Sequence, residues 1–498
     1  MNQQASTQAG GGTFGSRENL VVVTVMILGV FVAILNETLL NVALSRIMQE
    51  LHVKPEIAQW LATGYLLVIG VLIPVTAYLI ARFTTRGLFL TAMGLFTIGT
   101  FAAAVAPGFE VLLIGRVLQA AGTGVLFPLL TNVVFATVPV EKRGSAMGMI
   151  GIVITFAPAI GPTLSGVLVE HFSWRVLFYS VLPIAVLVWV IAYVKLRNVS
   201  EPTRPRIDLL SLALSTLGFG GLVYGFSSAG EGGGAMAGAG VLLPLAVGIV
   251  SLALFTWRQL ALDEPLLDLR AFRYRIFHMS TWITIIVMMA MFSAMMLLPI
   301  FLQNALGYGP LQAGLIMLPG GVVMGIMSPI TGRLFDRFGA KWLAVVGLGL
   351  TAHSLLQFAF LTTSSSYLAI MLLNTLLMLG ISMLMMPVMT NALNELPPRL
   401  YAHGTAIIST LQQVAGAVGT VLLVSVMTIR SDRYASPAQQ AADTGLARQA
   451  MIAGMQSAFL LAFALVVVAW VVSFFLKRAL PAEAEGEQEG GRRLPTHS

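Results

Sequence analysis

Pro329-Ile330-Thr331-Gly332-Arg333-Leu334-Phe335-Asp336-Arg337-Phe338-Gly339-Ala340-Lys341 is the second appearance of a pattern. The first is Pro74-Val75-Thr76-Ala77-Tyr78-Leu79-Ile80-Ala81-Arg82-Phe83-Thr84-Thr85-Arg86, 255 positions earlier (74 to 329). A second echo, at a similar offset, pairs Thr131-Asn132 with Thr390-Asn391, Pro139 with Pro397, and Gly144-Ser145-Ala146 with Gly404-Thr405-Ala406. Apolar segments resemble each other by chance, but matched Arg-Phe and Pro-Thr positions in matched loops mark a true repeat. A chain that repeats itself after about half its length is built of two like units, as many secondary transporters are.

The repeated unit is a set of membrane spans. The 498-residue chain is 57% hydrophobic and only 10% charged, with a mean hydropathy of +0.87. Soluble globular chains carry about 25% charged residues. A helix needs about 20 apolar residues to cross a bilayer. Segments of that kind lie at residues 20–44, 59–81, 87–106, 111–136, 144–170, 175–196, 208–229, 239–258, 277–300, 311–335, 341–362, 367–389, 402–429 and 454–476, about 14 spans in all. An even count puts both termini on one side. With that side inside, the inner segments hold Arg82, Arg86, Lys142, Arg143, Lys195, Arg258, Arg333, Arg337, Lys341, Arg399, Lys477 and Arg478 among others, against Arg46, Lys54, Arg430, Arg433 and Arg448 outside. That asymmetry is the positive-inside pattern, and one missed span would scramble it.

The echoes align the second span with the tenth, and the junction of the fourth and fifth with that of the twelfth and thirteenth. Spans 1–6 therefore match spans 9–14, and spans 7–8 are inserted. The expected organisation is a disordered cytosolic tail (1–19), an N-terminal six-helix bundle (20–197), two inserted spans (208–258), a cytosolic interfacial linker (259–276), a C-terminal six-helix bundle (277–477) and a second disordered tail (478–498). The linker reads as interfacial because Leu266, Leu267, Leu269 and Phe272 alternate with charged residues. The 1–19 segment lacks the short apolar core and cleavage site of a signal peptide.

Several function classes are excluded. The chain has no Cys, hence no disulfide, thiolate metal site or cysteine nucleophile. Its net charge of +7 is spread through short loops and forms no nucleic-acid patch. There is no G-x-x-x-x-G-K-[ST] loop for nucleotide phosphates. Any uphill work is expected to draw on an ion gradient, with no cofactor and no metal. No face gathers the His, Asp or Ser of an enzyme, and the loops are too short for a receptor domain.

Glu37 is the sole carboxylate of residues 20–44. An ionised acid inside a membrane costs several kcal/mol, so it marks function or finds a partner. Arg116 lies about 8 Å in from the outer start of the fourth span, and Glu37 about 10 Å in from the outer end of the first, at 1.5 Å per residue. The two charges share a depth and are expected to pair, with Asn36 and Asn41 beside them.

These motifs resemble the major facilitator superfamily, and within it the fourteen-helix drug:proton antiporters of the EmrB/QacA type. The resemblance covers nearly the whole chain outside the tails. Leu35-Asn36-Glu37-Thr38-Leu39-Leu40-Asn41-Val42-Ala43-Leu44 is similar to that family's first-helix motif, Leu-Asp-x-Thr-x-x-Asn-Val-Ala-Leu-Pro. Asn36 stands for the usual Asp and Ser45 for the usual Pro, and the acid has moved one place, as in a subset similar to lincomycin-resistance exporters. One residue is about 100° of helical turn, which re-aims the proton route. Gly332 to Lys341 is a full copy of the superfamily's cytosolic loop signature. The earlier copy has Ala81 in place of the acid and Thr84 in place of a Gly. The resemblance assigns a cytosolic gate to Arg82, Arg86, Asp336, Arg337 and Lys341, since an acid at a helix junction can pair with Arg or cap the next helix.

Arg116-Val117-Leu118-Gln119-Ala120-Ala121-Gly122-Thr123-Gly124 resembles the fourth-helix motif, whose Arg is implicated in proton transfer. Ala157-Pro158-Ala159-Ile160-Gly161-Pro162-Thr163-Leu164-Ser165-Gly166 resembles a fifth-helix signature of exporters. Pro158 and Pro162 remove backbone donors and kink a helix. Gly161 and Gly166 let a neighbour approach closely.

The resemblance thus implies an all-α integral membrane protein of two six-helix bundles plus two additional transmembrane helices. It implies a proton-coupled antiporter that exports amphipathic small molecules across the cell membrane, with protons, substrate and the lipid bilayer as partners, working as a monomer. The competing reading is a dedicated exporter of one physiological metabolite, lipid or siderophore. Met288, Met295 and Met385, with Asn132, Asn374, Asn391 and Gln412, are candidates for the substrate cavity. Met adapts its shape to varied ligands, while buried amides serve equally as interhelical glue.

Overall fold

The computed structural model describes residues 17–58, 60–199, 202, 208–231, 239–436, 439–440 and 443–479. The expected terminal tails fall largely outside this set. Among the described residues every regular element is helical. The long helices are α1 (Arg17–Leu51), α2 (Trp60–Arg82), α3 (Thr85–Ala104), α4 (Phe109–Thr137), α5 (Arg143–His171), α6 (Arg175–Lys195), α7 (Leu209–Glu231), α8 (Ala239–Ala261), α9 (Arg275–Ile300), α10 (Pro310–Phe338), α11 (Ala340–Phe358), α12 (Tyr367–Ser382, resuming after a break as Met385–Asn394), α13 (Tyr401–Tyr434) and α14 (Thr444–Ser473). Twelve of them are long and apolar enough to cross a membrane by themselves. The other two, α5 and α11, have 29 and 19 residues and pack among the twelve, which is compatible with fourteen spans.

Polar residues at the helix boundaries mark where apolar runs stop. The Thr84 hydroxyl accepts from Gly87 N (3.2 Å) at the start of α3, Ser366 from Ala369 N (3.2 Å) at α12, and Asp443 from Gly445 N (2.8 Å) at α14. Such caps satisfy amides that a helix start leaves without partners. Gly339, at φ 77°, ends α10 and opens α11. That left-handed backbone suits a residue without Cβ.

Two apolar cores form. One is built mainly from α1–α6, the other from α9–α14, so the repeat seen in the sequence is also a division of packing. The inserted α7 and α8 pack on each other, and α7 also touches α2 of the first bundle and α13 of the second. Trp60 and Tyr224 stack with ring centroids 5.7 Å apart on that face. The near ends of α7 and α8 are stapled by Arg258, whose Nε and NH2 donate to Asp208 at 2.6 and 2.9 Å. The Arg258 hydrogen bonds hold the Asp208 carboxyl well below the usual carboxylate range, against some desolvation.

The linker packs on protein through its leucines. Leu266 and Leu267 are buried in the first core, alongside Leu396 and Leu400. Leu267 N donates to Gln259 Oε1 (3.1 Å), Asp268 N to His403 Nδ1 (3.2 Å), and Phe277 N to Glu395 Oε2 (2.7 Å). Its leucines find apolar protein and its amides find side chains, so the segment is a docked strap.

The bundles meet along α5 and α10, and also where α13 packs on α2 and α4. A Cβ on Gly332 would run into the Gly144 carbonyl, and one on Gly148 into Ser328 and Pro329. Higher up, Phe156 lies against Gly325. Beyond that level the helices turn back to their own bundles: Gly161 faces Thr38, and Gly320 faces Asn374. Small residues permit this close backbone approach in a membrane helix pair. The seam is therefore closed from the end rich in Lys and Arg up to mid-membrane.

Candidate functional site

Glu37 sits half-buried midway along α1, which packs on α4, α5 and α6. Arg116 of α4 is 1% exposed. The structure brings the two within electrostatic reach of each other, as their shared depth suggests. It does not join them: among the described contacts no hydrogen bond or ion pair links Glu37 to Arg116. The guanidinium is held by neutral groups. Nε donates to Leu61 O (3.2 Å), NH1 donates to Gln119 Oε1 (3.0 Å), and the Tyr65 ring lies 4.0 Å from its Cζ. Asn36, where the related motif has its acid, is 2% exposed. Its Nδ2 has no hydrogen-bond partner among the described residues. The Asn41 side chain lies outside the described set.

The exporter-like stretch of α5 packs on the residues beside Glu37. A Cβ on Gly161 would collide with the Thr38 side chain. Thr38 Oγ1 donates to Leu35 O (2.9 Å) and lies 3.4 Å from Ala157 O, while Ser165 Oγ donates to Leu39 O (2.6 Å). Any movement of α5 against α1 is therefore felt one residue from the acid. The side chains of Pro158 and Pro162, and Gly166, lie outside the described set.

The gate candidates divide. Asp336 of α10 crosses between bundles: Oδ1 accepts from Gly144 N (2.8 Å), and Oδ2 from Ser145 N (2.8 Å) and the Ser145 hydroxyl. It thus caps α5, whose first amides and positive dipole end favour an anion. Arg86 instead ties α3 to α6 within one bundle, through Asn198 Oδ1 (3.1 Å) and Tyr193 O (2.6 Å). Arg82 and Arg337 are exposed and Lys341 is half-buried. None of these three makes a described bond across the seam.

A second crossing had no forecast. Arg143, 6% exposed at the start of α5, donates to Val138 O (3.1 Å) and Phe135 O (2.8 Å) in its own bundle. It also donates to Asn394 Oδ1 (3.0 Å) and the Tyr401 hydroxyl (3.1 Å) in the other. Its position in the echo, directly before Gly144 as His403 is before Gly404, was the available signal.

The cavity candidates also divide. Met288 and Met385 meet in a small apolar crevice between α9 and the α12 break, with Thr284 and Val388. Met295 is exposed, and Asn132 and Gln412 are half-buried. Asn391 is committed elsewhere: its Nδ2 donates to Lys477 O (3.0 Å) and its Oδ1 accepts from Ala479 N (3.0 Å), anchoring the segment after α14. Asn374 Nδ2 contacts Met317 O at 3.5 Å inside the second bundle. Asn374 thus bridges two helices, and Asn391 ties a helix to the segment that follows α14.

Two like helical bundles, closed at one end by a helix junction that Asp336 caps and holding a half-buried acid at membrane depth near an arginine, define a multi-pass secondary transporter. Residues 26–420 match the family model described as Major Facilitator Superfamily. The chain belongs to that superfamily. It is 46% identical to the lincomycin resistance protein LmrB of Bacillus subtilis over 453 residues, covering 91% of this chain and 95% of the relative. It is 30% identical to a multidrug resistance protein B homolog of Mycobacterium tuberculosis, covering 81% and 75%. The fold matches the human organic anion transporter MFSD10 (TETRAN), with TM-score 0.66, 14% identity and coverage of 91% and 99%. It also matches the proton:xylose symporter XylE, with TM-score 0.60, 15% identity and coverage of 94% and 98%.

Proposed function

We propose that this protein is a proton-coupled antiporter that exports amphipathic small molecules, antibiotics among them, by alternating access across the cell membrane. The observation that carries it is the Glu37 carboxylate: it lies at membrane depth without a bonded counterion, one residue from the α1–α5 contact. A carrier with one fixed proton affinity does no coupling, so the affinity must change between states. Movement of α5 against α1 supplies that change. The lincomycin and multidrug resistance relatives support the substrate class. The energy source is the proton gradient, with no cofactor. The Lys- and Arg-rich end is cytosolic, both termini lie there, and the monomer is the working unit.

The test is gradient-driven uptake of lincomycin and of ethidium into proteoliposomes. Glu37→Gln should abolish accumulation while leaving downhill exchange. Glu37→Asp should keep part of the activity, because the charge stays and only its reach shortens. Near-normal accumulation by Glu37→Gln would remove Glu37 from the coupling role.

A further inference from the structure

Buried Arg116 is held by neutral partners without a bond to Glu37, and each proton in the arrangement can be placed. Thr100 donates to Phe96 O (2.7 Å), so its oxygen accepts from Gln119 Nε2 (2.9 Å). That turns the Gln119 carbonyl oxygen toward Arg116 NH1 (3.0 Å). Thr123 donates to Gln119 O (2.9 Å), so it accepts from the Tyr65 hydroxyl (2.9 Å). The Tyr65 ring is thereby pinned with the guanidinium 4.0 Å from its centre. A desolvated cation over an aromatic face is strongly attracted to it. A buried guanidinium is costly unless such partners meet it.

Arg116 and Tyr65 are the charged and titratable side chains close enough to interact electrostatically with Glu37 among the described residues. Other charged groups on the packed helices, such as Arg46, Glu50, Glu110 and Arg175, sit at helix ends. We propose that Tyr65 of α2 is a positioning residue for proton coupling: its ring keeps Arg116 on α4 and out of a direct bond with Glu37. This rests on the antiport reading above. A proton that binds the Glu37 carboxylate then breaks no bond to Arg116, and Arg116 keeps its charge and its neutral protein partners in both halves of the cycle. Without the ring, the guanidinium has a bare face and Glu37 is the anion within reach. A direct pair would hold Glu37 ionised.

The experiment follows the proton itself and needs no substrate. Full-length protein in nanodiscs is titrated while the infrared carboxyl band of protonated Glu37 is recorded, assigned by its loss in Glu37→Gln. In Tyr65→Leu the titration should move acidward by about one pH unit or more relative to the unsubstituted protein. In Tyr65→Phe, which keeps the ring, it should stay within about 0.3 unit. A Tyr65→Leu titration within about 0.3 unit of normal overturns the proposal. So does a Tyr65→Phe shift as large as that of Tyr65→Leu, because the hydroxyl and not the ring would then matter. If Tyr65→Leu does not fold, Tyr65→Met, which also removes the ring, must shift the band acidward; no shift there is equally fatal. The two readings fail separately. Uphill efflux that survives Glu37→Gln sinks the antiport reading, whereas a normal Tyr65→Leu titration beside Glu37-dependent efflux sinks Tyr65 alone.

Discussion

At the residue scale, the charges that matter differ in how openly the sequence shows them. Glu37 and Arg116 stand out because an ionisable group inside an apolar run is expensive wherever it ends up. Arg143 does not stand out, because an arginine at a loop end counts equally well as a topology-setting charge. Only the fold shows that it is buried and divides its donors between two bundles. Tyr65 is hidden for another reason: an aromatic ring in a membrane span carries no pattern until its neighbour is known. Arg143→Met should leave four acceptors short of a donor, at about 1–3 kcal/mol for each one that stays dry. Thermal unfolding in detergent should show a clear loss of stability. Arg143→Lys should recover little of it, since a single ammonium cannot match the spread of a planar fork. Full recovery by Lys would mean that charge alone, not the divided hydrogen bonding, is what Arg143 supplies.

At the element scale, the inserted α7–α8 pair reads from the sequence as an appendage, because the repeat skips it. The structure gives it a place instead, with α7 against α2 and α13, the helices through which both bundles reach it. Sequence periodicity fixes that such helices exist but not which neighbours they choose, since lipid and protein offer apolar side chains much the same surroundings. The linker follows the same rule: Leu266 and Leu267 suit a lipid interface or a protein groove equally, and the fold places them in a groove. The Asp208–Arg258 staple makes a testable statement about pH. The folded-state value of Asp208 is depressed below its ordinary 3.8, so its stabilising effect is complete above that value and is lost only as pH falls through the lower, folded one. The difference in melting temperature between the natural protein and Asp208→Asn should therefore be the same at about pH 5 as at about pH 7, shrinking only in stronger acid. A difference that fades between pH 7 and pH 5 would assign the effect to another group. Thr216, which lines an outer groove of about 380 Å³ between α7 and α8 away from Glu37, should tolerate Ala with transport within about twofold, as surface changes away from special features usually do.

At the scale of the whole molecule, the repeat predicts two like locks and the chain has kept one. Asp336 caps α5 across the seam, while Ala81 holds the matching place in the first half and has no carboxylate to offer. The closed end therefore rests on α5 against α10 at Asp336, and on α5 against α12 and α13 at Arg143. Both bundles must separate there for the cavity to face the basic side, so every bond across this junction biases the equilibrium between the two orientations. Asp336→Asn keeps the size of the side chain but loses the charge and one of the two accepting oxygens. A hydrogen bond to a charged group contributes about 1.5–3 kcal/mol. A net loss of about 2 kcal/mol corresponds to a roughly 30-fold shift in population toward the open basic end. The chain has no native cysteine, so spin labels at Glu141→Cys and Trp342→Cys, both exposed and one in each bundle, report the separation directly by double electron–electron resonance. The labelled protein should show mainly the short distance, and Asp336→Asn should move most of the distribution to a longer one. Tags on both termini that map to the same side as these labels would join that motion to the cytosolic face. An unchanged distance distribution in Asp336→Asn would mean that the Arg143 clasp and the α5–α10 packing close this end without help from the acid.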